Sequence, residues 1–131
     1  MLRFAFFKNF KSGPKILFWG GREDISELSK VLREHSAAER EFNLNEDGRF
    51  LSADGSQIIL ENGNRTMGMQ RESNADSRFK WVLDPEGMEE IAEKLDELNR
   101  AGAGHQYLEG WRAGEIPVMV SIGEYPEDLV P

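Results

Sequence analysis

Cysteine is absent from this sequence, and with it go disulfides, thiolate nucleophiles and thiolate metal sites. Such a chain suits a reducing cytoplasm. Histidine is scarce as well: only His35 and His105 occur, without the HxH or HxxxH spacing that brings two imidazoles to one metal. No resident metal or cofactor is expected. No apolar run approaches the roughly 18 residues that a helical membrane span needs, so no membrane association is expected either. The short apolar stretch at residues 4–7 is broken by Lys8 and followed by no small-residue cleavage site, which makes it too short for a signal-peptide core. Basic charge is outweighed, 16 Lys and Arg against 24 Asp and Glu, for a net charge of -8. Such a surface repels nucleic-acid phosphates and attracts a basic partner.

What is present is a chain of 131 residues, 39% of them hydrophobic, enough for a single domain over 1–131 with a substantial core. Two segments carry a helical period. In REDISELSKVLREHSA, Ile25, Leu28, Val31, Leu32 and His35 recur at spacings of three and four, and Asp24 with Glu27 matches the capping-box spacing. The Gly20-Gly21 pair before it lacks the longer pattern and the lysine of a phosphate loop, and reads as a tight turn. In DPEGMEEIAEKLDELNRAGAG, Asp84 is the expected cap, Pro85 has its φ preset for the first turn, Glu86 complements the helix dipole and Gly102 is the left-handed stop. Met88, Ile91, Ala92, Leu95 and Leu98 form its buried stripe.

Elsewhere the period is two. Residues 2–7 and 15–19 predict a first hairpin across NFKSGP. Asn62-Gly63 predicts a second, tight hairpin that sets Leu60 opposite Arg65 and Ile58 opposite Met67. Phe79, Trp81 and Leu83 alternate with Arg78, Lys80 and Val82, giving one apolar and one largely basic face. GHQYLEG and EIPVMVSIGEY close the chain as two strands joined by a loop with Trp111 and Arg112. The expected fold is α+β: a mostly antiparallel, curved sheet of about eight strands with both amphipathic helices packed on one face. A parallel, doubly wound sheet fits worse, since each parallel neighbour needs a crossover and only two helices exist.

Three groups of residues are candidates for function. If Leu108 joins the apolar set Ile116, Val118, Val120 and Ile122, then His105 and Tyr107 are displayed on the opposite face with Met119 and Ser121; a slip of one residue reverses this. Ser121, His105 and Glu124 can be drawn as nucleophile, base and orienter, but no strained nucleophile turn or oxyanion loop accompanies them, and no catalytic residue is assigned. The second group is the acidic face of the later helix, Glu89, Glu93 and Glu97: residues 84–100 hold seven acids and two bases, whereas residues 1–22 hold five bases and no acid. That segregation orients a charged partner. The third is Trp111, an aromatic anchor for such a contact.

The succession of a Gly-Gly helix, hairpins, the W-x-L-D-P-E helix, HQYLE and SIGEYPEDL resembles a group of small bacterial proteins of uncharacterised function. More loosely, the chain resembles immunity proteins of bacterial toxin systems. That resemblance implies a small acidic cytoplasmic protein which binds a toxin directly. It carries no catalytic residue to any position here. The expected function is thus an acidic protein-binding domain, of the toxin-neutralising immunity type, with a basic protein as partner. Two alternatives stay open: a small ligand-binding or enzymatic domain using the sheet face around His105 and Tyr107, and a homodimer or other homo-oligomer joined through an exposed sheet face or edge.

Overall fold

The aromatic runs at the start of the chain pair with each other across a tight turn at Lys11 and Ser12, where Lys11 takes φ 58°, while Asn9 lies within the first strand and Gly13 and Pro14 within the second. In a computed structural model, which describes residues 1–37, 41–72, 77–109 and 112–131, β1 (Leu2–Phe10) and β2 (Gly13–Gly20) form an antiparallel hairpin with Phe4 opposite Phe18 and Phe6 opposite Ile16. Helix α1 (Arg22–His35) follows at once. Gly21 is its N-cap, and Asp24 reaches back to accept the Gly21 N–H at 3.0 Å. Asp24 is therefore the back-bonding member of the cap and not its first residue, because Gly21 already supplies the extended backbone that the position requires.

Next come β3 (Phe42–Asn43), a short 3-10 turn at Leu44–Glu46, β4 (Phe50–Ser52), β5 (Gln57–Asn62), β6 (Gly68–Arg71) and β7 (Arg78–Leu83). Helix α2 (Pro85–Ala101), β8 (Gly104–Glu109) and β9 (Val118–Ile122) complete the chain. At α2 the expected ends form: Asp84 accepts the Gly87 N–H, Pro85 opens the first turn and Gly102 closes the helix at φ 83°.

The α+β class holds, with two helices and nine strands among the described residues, but the single, mostly antiparallel sheet does not form there. The strands divide between two mixed sheets, β4-β1-β2-β9-β8 and β3-β5-β7-β6. Among the described residues three pairings are parallel: β1 with β4, β2 with β9 and β5 with β7. The reason lies in burial. Every residue of β9, VMVSI, is buried, and a strand apolar on both faces gains most from an interior place, here between β2 and β8. The Asn62-Gly63 hairpin is overturned for a related reason. Leu60 lies beside Trp81 and Phe42, and Ile58 beside Phe79. Gly63 gives its N–H to the Leu83 carbonyl at 2.9 Å and Met67 gives its own to Val82 at 2.9 Å, so the chain passes across the end of β7 and β6 pairs on its far side. Strand β7, with Phe79, Trp81 and Leu83 almost wholly buried, thereby gains a neighbour on both edges.

The inner faces of the two sheets and the two helices enclose one core. Phe18 stacks on Trp81 at 5.6 Å and Phe6 meets Phe79 at 5.2 Å, tying sheet to sheet. The stripes Ile25/Leu28/Val31/Leu32 and Met88/Ile91/Leu95/Leu98 are buried in the same cluster, each such side chain contributing about 1.5–3 kcal/mol. A second, smaller cluster covers the outer face of the five-stranded sheet. There Phe7, Leu17, Trp19 and Met119 pack under Tyr107, Tyr125 and Leu129, and the Trp19 indole donates to the Pro126 carbonyl at 2.9 Å. No helix among the described residues is long and apolar enough to cross a membrane.

Candidate functional site

The pairing of β8 with β9 decides which way its polar side chains point. His105 stands opposite Ser121 and Tyr107 opposite Met119, while Leu108 joins Val118, Val120 and Ile122 in the main core. Since side chains alternate along a strand, His105 and Tyr107 lie on the outer face, and their rings meet edge to face at 6.2 Å. Gly123, at φ 73°, turns the chain after β9 and brings Glu124 to the same place.

The Glu124 carboxylate accepts the Ser121 hydroxyl at 2.6 Å and stands 3.0 and 3.1 Å from His105 Nδ1. A carboxylate can only accept, so Nδ1 carries the hydrogen and Nε2 is the basic nitrogen of the neutral ring. The Ser121 hydroxyl, first, holds the Glu124 carboxyl below the usual glutamate range; partial burial opposes this, and His105 and Lys11 add to the lowering. The order of contacts is serine–glutamate–histidine, with the acid in the middle. A nucleophilic triad needs the imidazole in the middle. Here the serine proton goes to Glu124, and Ser121 is 0% exposed, so it is no nucleophile. What the arrangement provides is an oriented imidazole on a sheet face beside a tyrosine. Neither His105 nor Tyr107 lines the clefts beside Phe6, Asn62, Thr66, Phe42 or Trp19, and no described group of three His, Asp or Glu is placed to hold a metal.

Helix α2 separates its carboxylates into two sets. Glu89 accepts from Arg33 Nε at 3.0 Å, and Asp96 pairs with Arg33 Nη2 at 2.8 Å while accepting the Ser29 hydroxyl at 3.0 Å. Burial is the largest single influence on the Asp96 carboxyl and pushes it up, but the Arg33 and Ser29 hydrogen bonds together with the charge of Arg33 hold it below the ordinary aspartate range. Glu89 thus joins α1 to α2 and is not available in the way Glu93 and Glu97 are. Glu93 and Glu97 are exposed and share one stripe with Glu86 and Glu90, all four falling within about 60° at the 3.6-residue period. None of the four makes an ion pair with a described residue. Lys94, the one base within this stretch of α2, donates to the Leu108 carbonyl at 3.1 Å. Glu86 and Glu90 were legible in the sequence as members of the row, through their spacings of four, three and four.

At the first turn of this stripe a cleft of about 350 Å³ opens between Thr66, Glu86, Glu90 and Arg112. Trp111, the expected anchor, lies outside the described residues. The segment beyond it is pinned to β6 by a bridge between Ile116 and Met69, and the buried Glu115 carboxylate packs against Gly68, whose φ is 80°.

The sequence matches no protein-family model and no curated protein. The class that fold and surface define is an α+β domain with an oriented histidine on one sheet face and an acidic ridge along one helix.

Proposed function

We propose that this domain binds a basic protein partner through the ridge Glu86/Glu90/Glu93/Glu97, in the manner of a cytoplasmic immunity protein that neutralises a toxin. One observation carries the reading. Four exposed carboxylates run in line along α2 without an ion pair to any described residue, although Arg33, on the adjacent helix, neutralises Glu89 and Asp96. Aligned like charges destabilise an isolated helix, so their retention on one face fits a partner that supplies the opposite charge. The cleft at Thr66, Glu86 and Arg112 gives the ridge a concave end where a partner side chain can seat.

A second reading has its own support. Glu124 fixes the tautomer of His105 and leaves Nε2 as the acceptor, which suits a ligand-binding or proton-transfer role for the face around His105 and Tyr107.

The test compares the wild type with the triple variant Glu90→Lys/Glu93→Lys/Glu97→Lys, first in affinity capture from the native cell and then in binding kinetics on the partner recovered. A basic partner is expected, with association that slows as salt rises and falls about tenfold or more in the variant. Capture undiminished by the reversal overturns the ridge. A small metabolite that shifts the His105 and Tyr107 resonances, with no protein recovered, supports the second reading instead.

A further inference from the structure

The two faces of the five-stranded sheet are buried by different means. Its inner face packs in the main cluster with both helices. The cluster on its outer face, where Phe7, Leu17, Trp19 and Met119 are buried, contains no helical residue. Part of its cover, Tyr125 and Leu129, comes from one irregular segment that follows β9.

That segment is fixed at its root and lightly held beyond it. Gly123 turns the chain at φ 73°, and Glu124 is anchored by the Ser121 hydroxyl at 2.6 Å. Among the described residues, the chain after Glu124 pairs with no strand, and its one backbone hydrogen bond is internal, from Leu129 N–H to the Pro126 carbonyl at 3.2 Å. Side chains make the other contacts. The Trp19 indole donates to that same carbonyl at 2.9 Å, the Tyr125 ring meets Phe10 edge on at 5.5 Å, and Glu127, 87% exposed, stands 3.7 Å from Arg3. An exposed ion pair of that length contributes little, and a segment with no ladder and few apolar contacts lies at the low end of local stability. The β2–β9 pairing beneath it does not depend on it.

We propose that residues 125–129 are a strap that opens as a unit, pivoting after Glu124, while the sheets and helices stay folded, and that the face it uncovers binds the same segment of a second copy of this chain. The occupant follows from the contacts. An identical segment meets Trp19 and Phe10 in the same way whichever copy supplies it, so exchange needs no new complementarity. In the closed state the strap excludes its replacement, because a segment tethered at Glu124 competes at an effective concentration that is roughly millimolar. The device uses neither the ridge of α2 nor Nε2 of His105, so it stands apart from both readings of the function.

The first measurement is hydrogen exchange of the indole N–H groups. Trp19 and Trp81 are almost equally buried, 2% and 0% exposed, so they exchange alike if only global unfolding exposes them. The Trp19 indole should instead exchange about a hundredfold or more faster than that of Trp81, through an opening with little urea dependence. Equal rates, both with the urea dependence of unfolding, overturn the strap. The second measurement titrates the isotope-labelled Leu129→Ala chain, in which the strap is loosened and the face is intact, with a capped peptide of residues 123–131. Apparent affinity scales with the open fraction, so the variant should bind the peptide about tenfold or more tightly than the wild type does, with shifts centred on Phe10, Trp19 and Met119. The same peptide carrying Leu129→Asp should not bind. Unlabelled wild-type chain in place of the peptide should give the same shifts at higher concentration, since its own strap must open first. Equal affinity of variant and wild type for the peptide, shifts centred elsewhere, or no shifts from the wild-type chain at millimolar concentration overturn the face as a site for a second copy. Leu129 is half-buried and lies outside the main core, so its replacement leaves the fold standing, and an unchanged Trp81 indole resonance verifies this.

Discussion

Replacing a helical glycine by alanine ordinarily stabilises a protein by about 0.5–1 kcal/mol, but at Gly87 the sign should reverse. Gly87 N–H donates to Asp84 Oδ1 at 2.7 Å, closing the cap of α2. Thr66 completes the arrangement, its hydroxyl donating to that same oxygen at 3.0 Å and accepting the Asp84 N–H at 3.1 Å. A Cβ on Gly87 would overlap Thr66 Oγ1 and crowd Asp84 Oδ1 at 3.1 Å. Thr66 must then rotate away. Two hydrogen bonds of about 0.5–1.5 kcal/mol each are lost, which exceeds the propensity gain and leaves Gly87→Ala less stable by about 1 kcal/mol. In a Thr66→Ala background the obstructing oxygen is gone, and the nearest Thr66 atom left is Cβ at 3.4 Å, an ordinary contact. There the same substitution should stabilise, by about 0.5–1 kcal/mol. Urea titration of the four proteins at constant m-value gives the double-mutant cycle. Additivity within about 0.5 kcal/mol, or stabilisation by Gly87→Ala in the wild-type background, would refute the reasoning.

Two further outcomes are expected. Leu95→Ala, which empties a fully buried site between α2 and the sheets, should cost about 2–5 kcal/mol, whereas Glu93→Ala on the exposed stripe should stay within about 0.5 kcal/mol in the same titration; equal losses would mean that α2 faces otherwise. The Glu124 carboxyl titrates below its ordinary value of 4.5 in the folded protein, so the unfolded chain binds the proton more tightly, and the stabilisation is fully present above pH 4.5 and is lost as pH falls through the folded value. Ser121→Ala removes the largest cause of that shift and should raise the Glu124 midpoint in an NMR titration, while a midpoint unmoved by the substitution would show that the 2.6 Å contact does not set it.

The helices were legible in the sequence because everything that fixes them is local. Pro85, Asp84 and Gly102 set the ends of α2 within a few residues of the turn they control, and the stripes of three and four specify the buried face without knowledge of the rest of the chain. The sheets were not, since register beyond a hairpin depends on partners distant in sequence. Asn62-Gly63 is a good turn dipeptide, but its preference is worth little beside the burial of Trp81 and Phe79, which β5 and β6 achieve only by flanking β7 from opposite sides. Similarly, VMVSI has apolar side chains on both faces, a signal for an interior strand in a mixed sheet, and alternation from Ile116 to Ile122 conceals it when only one face is counted.

For the candidate site, the face occupied by His105 and Tyr107 followed from Leu108 once the partner strand was known. The reversal of roles between Glu124 and His105 could not follow, because it depends on the bend at Gly123 that lets one carboxylate reach Ser121 and the imidazole together. The acidic helix shows how finely position divides function from architecture. Glu89 and Glu93 are only four residues apart, and Glu89 lies about 70° from the centre of the ridge at 100° per residue. That rotation brings Glu89 within 3.0 Å of Arg33, where charge is neutralised and the carboxylate holds two helices together. Rotated the other way, Glu90, Glu93 and Glu97 make no ion pair with a described residue, and their field extends into solvent over about 8 Å at physiological salt before it is screened. A composition count treats all these glutamates alike. Only the contacts of Arg33 and Lys94 separate those that fasten the fold from those that can act on a partner.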